Sequence, residues 1–302
     1  MSVSGEVHRM AQEQLKEAMY WEKKDGGSVH CFLCPHNCVI PQEKTGLCGV
    51  RKNVDGTLYS LNYGHVSSLA LDPIEKKPLN RFYPGSLILS AGSVGCNFAC
   101  PFCQNHSIAR ETMDTAHTSY MEPQELADHA EGLKSRGNIG IAYTYNEPSI
   151  WFEFVLETAK IAHNRGLKNV LVTNGYISKE PLRELLPYVD AMNIDLKAFD
   201  PQFYKTVVHG GLAEVKATIA AAAKKCHVEV TTLVIPTLND NAEDTRKMAE
   251  WLACISPDLP LHLSRFFPRY QMTDKQPTSR QSLTELAIVA QEYLKNVYIG
   301  NI

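Results

Sequence analysis

The sequence predicts an α/β protein: a partial (β/α)6 TIM-like barrel over residues 81–302, preceded by a small cysteine-rich module over residues 1–80. Three observations carry this reading. Six short apolar or β-branched runs recur from residue 86 onward, helical stretches separate them, and seven of the nine cysteines fall into two clusters, one on each side of the break. At 302 residues and 44% hydrophobic composition the chain is long enough to bury a full core.

The module comes first. Residues 1–80 hold a short helix, then Cys31, Cys34, Cys38 and Cys48, then glycine-punctuated stretches such as NVDGTLYSLNYGHVSSLAL that read as short strands and turns. The opening MSVSGEVHRMAQEQLKEAMYWEKKDGG is charged throughout, and no apolar run approaches the roughly 18 residues a membrane span needs, so no membrane association is expected. A net charge of −3, with no segment concentrating Lys and Arg among aromatics, excludes an electrostatic footprint for nucleic acid. A cytoplasmic location follows as the expectation.

From residue 86 the runs are SLILSAG, NIGIAYTY, KNVLVTNG, AMNIDL, HVEVTTLVIP and LHLSRF. Between them lie helical stretches at 123–136, 149–165, 179–186, 212–225 and 242–254, several opened by Pro, Ser or Asp near the first turn. Strand–helix units in series imply a parallel sheet with right-handed crossovers. The C-terminal NVYIGNI reads as one more strand without chemistry, and Cys226 and Cys254 as small core residues.

Chemistry in such a barrel gathers at the C-terminal ends of the strands. In order these ends read Gly95-Cys96, Asn146-Glu147, Thr173-Asn174-Gly175, Asp195-Leu196-Lys197, Pro236 to Asp240, and Ser264-Arg265-Phe266. Alternation along the fourth run sets Asn193, Asp195 and Lys197 on one face, expected to point inward, and Met192, Ile194 and Leu196 on the other. IPTLNDN (235–241) either lines a ligand pocket or caps the helix near Glu243. His209-Gly210-Gly211 looks like a turn on the active rim, and Arg265 is placed to reach around that rim toward an acidic substrate.

Cys96, Cys100 and Cys103, spaced C-x3-C-x2-C on the loop leaving the first strand, can wrap three corners of a four-iron, four-sulfur (4Fe-4S) cluster, because thiolates are the soft ligands such iron needs. The fourth iron is then open to a bidentate ligand such as the amino and carboxylate groups of an amino acid. An open position separates a catalytic metal site from a closed structural one. The alternatives are a zinc site completed by His106 and a buried thiol cluster; zinc sites normally add a second, distant cysteine pair, and none lies downstream. The tetrad Cys31, Cys34, Cys38 and Cys48, with Pro35, Gly46 and Gly49 for tight turns, reads as a closed zinc site or an auxiliary iron–sulfur cluster, or as thiols that handle substrate directly.

Cys96, Cys100 and Cys103, with Phe102 directly before the last of them, resemble the signature of the radical S-adenosylmethionine superfamily, and the resemblance extends over roughly residues 86 to 270. It implies that these cysteines bind the 4Fe-4S cluster, that S-adenosylmethionine chelates the open iron, and that an electron from flavodoxin or ferredoxin cleaves it to a 5′-deoxyadenosyl radical. VTNG (172–175) and NIDLKAFD (193–200) resemble segments of pyruvate formate-lyase activating enzymes, which implies cosubstrate contacts for Thr173, Asn174, Asp195 and Lys197. Lys197 would pair with the cosubstrate carboxylate and Asp195 would accept from its hydroxyls or orient the lysine, the alternative being a salt bridge across the lumen. His262 and Ser264 are further candidates for the same pocket, with a hydrogen-bonded, barrel-filling histidine as the alternative.

AYTYNEP (142–148) stands where the superfamily shows Gly-Gly-Glu. Glu147 keeps the carboxylate for the cosubstrate ammonium, but Tyr145 and Asn146 replace the glycines, which puts close backbone approach in question. That strand end, together with CFLCPHNC, resembles the AmmeMemoRadiSam-system radical enzymes. Val172 replaces the Asp that activases place before Thr-Asn-Gly, so no bound monovalent cation is expected. The resemblance implies hydrogen abstraction from an unidentified small-molecule or protein substrate. A glycyl-radical-enzyme activase is the alternative and needs an open rim for a protein loop; a non-catalytic iron–sulfur electron carrier would need neither an open iron nor inward carboxylates and lysine.

Overall fold

The computed structural model describes residues 15–302. The short helix expected near the start lies outside the described residues as far as residue 14; beyond it, Lys16–Glu17 and Trp21–Lys23 are strands.

Among the described residues the largest sheet has eight strands, in the spatial order of the chain. They are β1 (Ser68–Pro73), β2 (Leu87–Gly92), β3 (Asn138–Tyr143), β4 (Lys168–Thr173), β5 (Ala191–Asp195), β6 (His227–Val234), β7 (Leu261–Arg265) and β8 (Val297–Gly300). β2 to β8 run parallel, whereas β1 pairs antiparallel with β2 along the edge, Ser68 opposite Gly92 and Pro73 opposite Leu87. The six expected strands are β2 to β7. Residues 68–80, grouped with the module in the sequence reading, contribute an edge strand and part of the barrel's base.

Helices α1 (Pro123–Gly132), α2 (Phe152–Asn164), α3 (Lys179–Leu185), α4 (Leu212–Ala222), α5 (Ala242–Ile255) and α6 (Arg280–Gln291) cover the outer face. Strand residues alternate between two cores, as the period of two requires. Leu89, Ile141, Tyr143, Leu171, Met192 and Ile194 pack outward under the helices, while Ile88, Ala142, Val170 and Ala191 point inward against Ile74, Leu79 and Phe82. The segment 74–82 therefore plugs the base of the barrel. Polar backbone groups tie it down: Asn193 Nδ2 donates to the Pro78 carbonyl at 2.8 Å, and the Asn80 and Arg81 amides donate to Glu229 at 3.0 and 2.7 Å. Cys226 is half-buried, but Cys254, expected in the core, is exposed on α5.

The module is built from two small antiparallel sheets. It is fastened to the barrel by a buried ion pair. Arg51 Nη2 lies 3.1 Å from Glu153 Oε1 on α2, with side chains 2% and 0% exposed, and Glu153 also accepts from the Met19 amide at 2.7 Å. Removing one member of such a pair strands the other charge in the core. Glu153→Ala is expected to lower stability by about 3–5 kcal/mol, seen as a lower urea midpoint at unchanged slope.

Candidate active site

The C-terminal ends of β2 to β7 meet at a cavity of about 340 Å³. On the β2 side the chain turns through Gly95, whose φ of +88° and position admit no side chain: a Cβ there would stand 2.7 Å from the Cys48 carbonyl oxygen. Cys96, Cys100 and Cys103 follow and all three line the cavity. The His209–Gly210 turn packs on this loop, with Gly210 against the Phe98 ring and the Ala99 amide donating to the Val208 carbonyl at 3.1 Å.

At the β3 end Tyr145 takes the left-handed conformation, φ +72°, without being glycine. The two residues that replace glycine brace the thiol loop. Asn146 Oδ1 accepts from the Ser93 amide at 2.9 Å, Asn146 Nδ2 donates to the Gly95 carbonyl at 3.0 Å, and the Tyr145 carbonyl accepts from Asn105 Nδ2 at 2.7 Å. Glu147 is buried and lines the cavity. Its oxygens accept from Thr173 Oγ1 at 2.7 Å, the Ser149 amide at 2.9 Å and the Asn174 amide at 2.8 Å. Burial outweighs these donors and raises its pKa.

Asn174 extends the network. Its Nδ2 donates to Asn97 Oδ1 at 2.8 Å and stands 3.7 Å from Cys96 Sγ. On β5, Lys197 Nζ lies 2.6 Å from Asp195 Oδ2, and both line the cavity. Burial is the largest single influence and opposes the Lys197 ammonium, but the Asp195 charge, its hydrogen bond and the Cys100 and Cys103 sulfurs together outweigh it and hold the pKa well up. Asn239 donates to the Lys197 carbonyl at 2.7 Å and to the Leu233 carbonyl at 2.9 Å. The 235–241 loop thus braces β5, and Asn241 caps α5 by accepting from the Asp244 amide; the loop does not line the cavity.

Of the remaining candidates, Ser264 lines the cavity and His262 does not. His262 lies lower in the barrel, its Nε2 2.6 Å from Glu229 Oε2, with His227 Nε2 2.9 Å from the other oxygen. Burial works against the Glu229 carboxylate, but these hydrogen bonds hold its pKa down at about 2. His262 thus sits in the hydrogen-bonded, barrel-filling arrangement, off the cavity lining. Arg265 is turned to the Thr278 carbonyl at 2.7 Å, and His106 stacks on Tyr270 at 4.7 Å outside the cavity lining.

The donor set fits an iron–sulfur cluster. Burial drives the Cys96 thiol far above its usual range and Cys100 to about 12, so the thiols stay protonated until a cation binds. Among the described residues no three His, Cys, Asp or Glu side chains are drawn together on one metal ion. A cubane does not ask for that, because each thiolate takes a different iron.

Residues 91–252 match the family described as the radical SAM superfamily, more than half of the chain. The chain belongs to the radical SAM superfamily. An uncharacterized protein of Methanocaldococcus jannaschii is 44% identical over 95% of this chain and 86% of its own length. The pyruvate formate-lyase-activating enzyme of Clostridium pasteurianum is 24% identical over 51% of this chain, which spans 65% of that enzyme. A radical SAM methyltransferase from Sphaerobacter thermophilus shares the fold, at a TM-score of 0.55 and 13% identity over 72% of this chain and 67% of that one. As a radical SAM enzyme the protein uses a 4Fe-4S cluster and S-adenosylmethionine, and among its described residues no helix is long and apolar enough to cross a membrane.

The structure brings together with the three cysteines Glu147, Thr173, Asn174, Asp195, Lys197 and Ser264. The sequence reading did not find the bracing roles of Asn146 and Asn239. It also missed Lys77, which lines the same cavity from the plug.

Proposed function

We propose that the protein reductively cleaves S-adenosylmethionine at a 4Fe-4S cluster held by Cys96, Cys100 and Cys103, and takes hydrogen from an unidentified substrate of the AmmeMemoRadiSam type. The observation that carries this is the single cavity joining three thiols, Cys100 buried and Cys96 and Cys103 half-buried, to Glu147 and to the Asp195–Lys197 pair. When bound, the cluster and cosubstrate supply an electron and a 5′-deoxyadenosyl radical. The chain's own work is positional. Asn146 and Asn174 hold the thiol loop, Lys197 presents an ammonium to the cosubstrate carboxylate, and Glu147 offers a carboxylate to its amino group while fixing the Thr173–Asn174 strand end. A cytoplasmic location, with flavodoxin or ferredoxin as electron donor, belongs to this reading.

Anaerobic reconstitution with iron and sulfide, reduction by dithionite and addition of S-adenosylmethionine should release 5′-deoxyadenosine. A cluster-loaded protein that never cleaves the cosubstrate would instead be an electron carrier. The likeness to activating enzymes favours one second reading, a glycyl-radical-enzyme activase; a glycyl radical raised on a partner protein by the reduced enzyme would establish it.

The N-terminal thiols belong to the proposal as a second metal site, zinc or an auxiliary cluster; no three of them converge on one point in the structure, so a zinc ion would have to draw them together, whereas a cluster would not. Cys31, Cys34, Cys38 and Cys48 line one small cavity with Arg51, whose buried Nε and Nη1 have no hydrogen-bond partner among the described residues. Burial raises the Cys34 thiol to about 12 and Cys48 to about 11, so thiolates there need a cation, and the resulting anionic complex would satisfy the guanidinium. The cavity borders the active site: His36 Nε2 lies 2.7 Å from the Asn97 carbonyl oxygen, next to Cys96. Metal analysis of the Cys96→Ala, Cys100→Ala, Cys103→Ala triple variant is expected to find this metal retained. Zinc near one equivalent identifies an ion site, iron with sulfide an auxiliary cluster, and metal-free protein removes the second site.

A further inference from the structure

The buried residues of the plug that closes the base of the barrel are apolar except at one point. Ile74, Leu79 and Phe82 pack on the inward faces of β2 to β5, yet Lys77, on the same segment, is 2% exposed and lines the cavity that also holds the three cysteines and the Asp195–Lys197 pair. Lys77 Nζ lies 2.9 Å from Asp72 Oδ2 and 4.6 Å from the centroid of the Tyr145 ring. The Tyr145 hydroxyl donates to the same carboxylate oxygen at 2.7 Å, and Lys76 Nζ stands 3.5 Å from the other.

Two lysines therefore share one carboxylate, which leaves one positive charge in excess. The lysines line the cavity and Asp72 does not, so the charge that this cluster presents to the cavity is positive. An ammonium has three N–H donors, and Asp72 is the one acceptor Lys77 Nζ meets among the described residues. A purely structural pair in this place is poorly motivated, because well-packed apolar side chains serve at least as well in a core and are already present on either side of it.

We propose that Lys77 is the anion-recognising end of the substrate subsite, and that the substrate is a small molecule bearing a carboxylate or phosphate group. This rests on the function proposed above. The cosubstrate is assigned to the strand ends, and on this proposal the carbon to be attacked lies between it and the plugged base of the barrel. An oxyanion at Lys77 Nζ anchors a small molecule there. Asp72 and Tyr145 hold the ammonium in position, the ring beneath it and the carboxylate beside it.

The experiment is anaerobic equilibrium dialysis of the reconstituted enzyme with S-adenosylmethionine, using radiolabelled inorganic phosphate in one arm and acetate in the other. Saturable binding of at least one anion is expected, weakened tenfold or more by Lys77→Met and unchanged by Lys247→Met on exposed α5. Because Lys77→Met strands Asp72, the Asp72→Asn, Lys77→Met double variant, which leaves no unpaired carboxylate, must show the same loss. The arm that binds distinguishes phosphate from carboxylate chemistry. Wild-type enzyme that cleaves the cosubstrate but binds neither anion, or binding that survives in both Lys77 variants or falls equally in Lys247→Met, overturns the subsite. Wild-type enzyme that never releases 5′-deoxyadenosine overturns instead the reading on which it rests.

Discussion

Cys100→Ala should fold, lose iron from the active-site loop, and release 5′-deoxyadenosine only at the level of the iron-free protein. Cys100 is 9% exposed, lines the cavity and sits between Phe98 and Phe102, both buried in the main core. Exchanging a sulfur for a hydrogen there disturbs packing little. Its chemical effect is far larger, since two thiolates cannot hold a cubane that three were placed to hold, and with the cluster goes the cosubstrate's site of attachment. The measurement is iron and sulfide content alongside product release, with Cys226→Ala as the comparison, because Cys226 is a half-buried lone thiol bonded to the Ala222 carbonyl at 3.5 Å and should lose neither. A Cys100→Ala protein that keeps both iron and cleavage would mean that the loop is not the cluster site.

The strands carrying this site were legible because each is a short run of β-branched and apolar residues ending in a polar group, a pattern set locally. So was the inward face of β5, where alternation alone places Asn193, Asp195 and Lys197 together. Tertiary pairing was not legible. β1 comes from a glycine-punctuated stretch whose residues are half-exposed, so it lacks the apolar signature of a central strand, and its antiparallel partner cannot be read from either segment. Lys77 is invisible for the same reason: a lysine after Lys76 in IEKKPLN looks like a solvated turn until the plug is seen lying across the strands. Asn146 reads as a glycine replacement, and only its bonds to Ser93 and Gly95 show that it braces the thiol loop. His262 is the reverse case, a polar residue on an inward face that stands off the cavity lining and is held by Glu229.

Lys197→Met tests which of two roles the second charged pair performs. The ammonium is 2.6 Å from Asp195 Oδ2 and 16% exposed, so the pair is partly desolvated and faces the cavity rather than bulk water. If it seats the cosubstrate carboxylate, the variant loses a hydrogen bond between charged groups, worth about 1.5–3 kcal/mol. That corresponds to a rise of roughly ten- to a hundredfold in KM for S-adenosylmethionine. If the pair only fills the lumen, the loss falls on stability instead. Asp195 is left without its cation, the melting temperature drops, and KM stays where it was. Asp195→Asn, Lys197→Met removes the stranded carboxylate and separates the two effects: stability should recover while KM remains high. Lys197→Arg keeps the charge on a longer, planar group and should recover part of the binding, because Asn239 and Tyr204 fix the Lys197 backbone and leave only the side chain to adjust. A KM unmoved in all three variants would assign the pair to the architecture and leave Glu147, Thr173, Asn174 and Ser264 as the polar candidates for seating the cosubstrate.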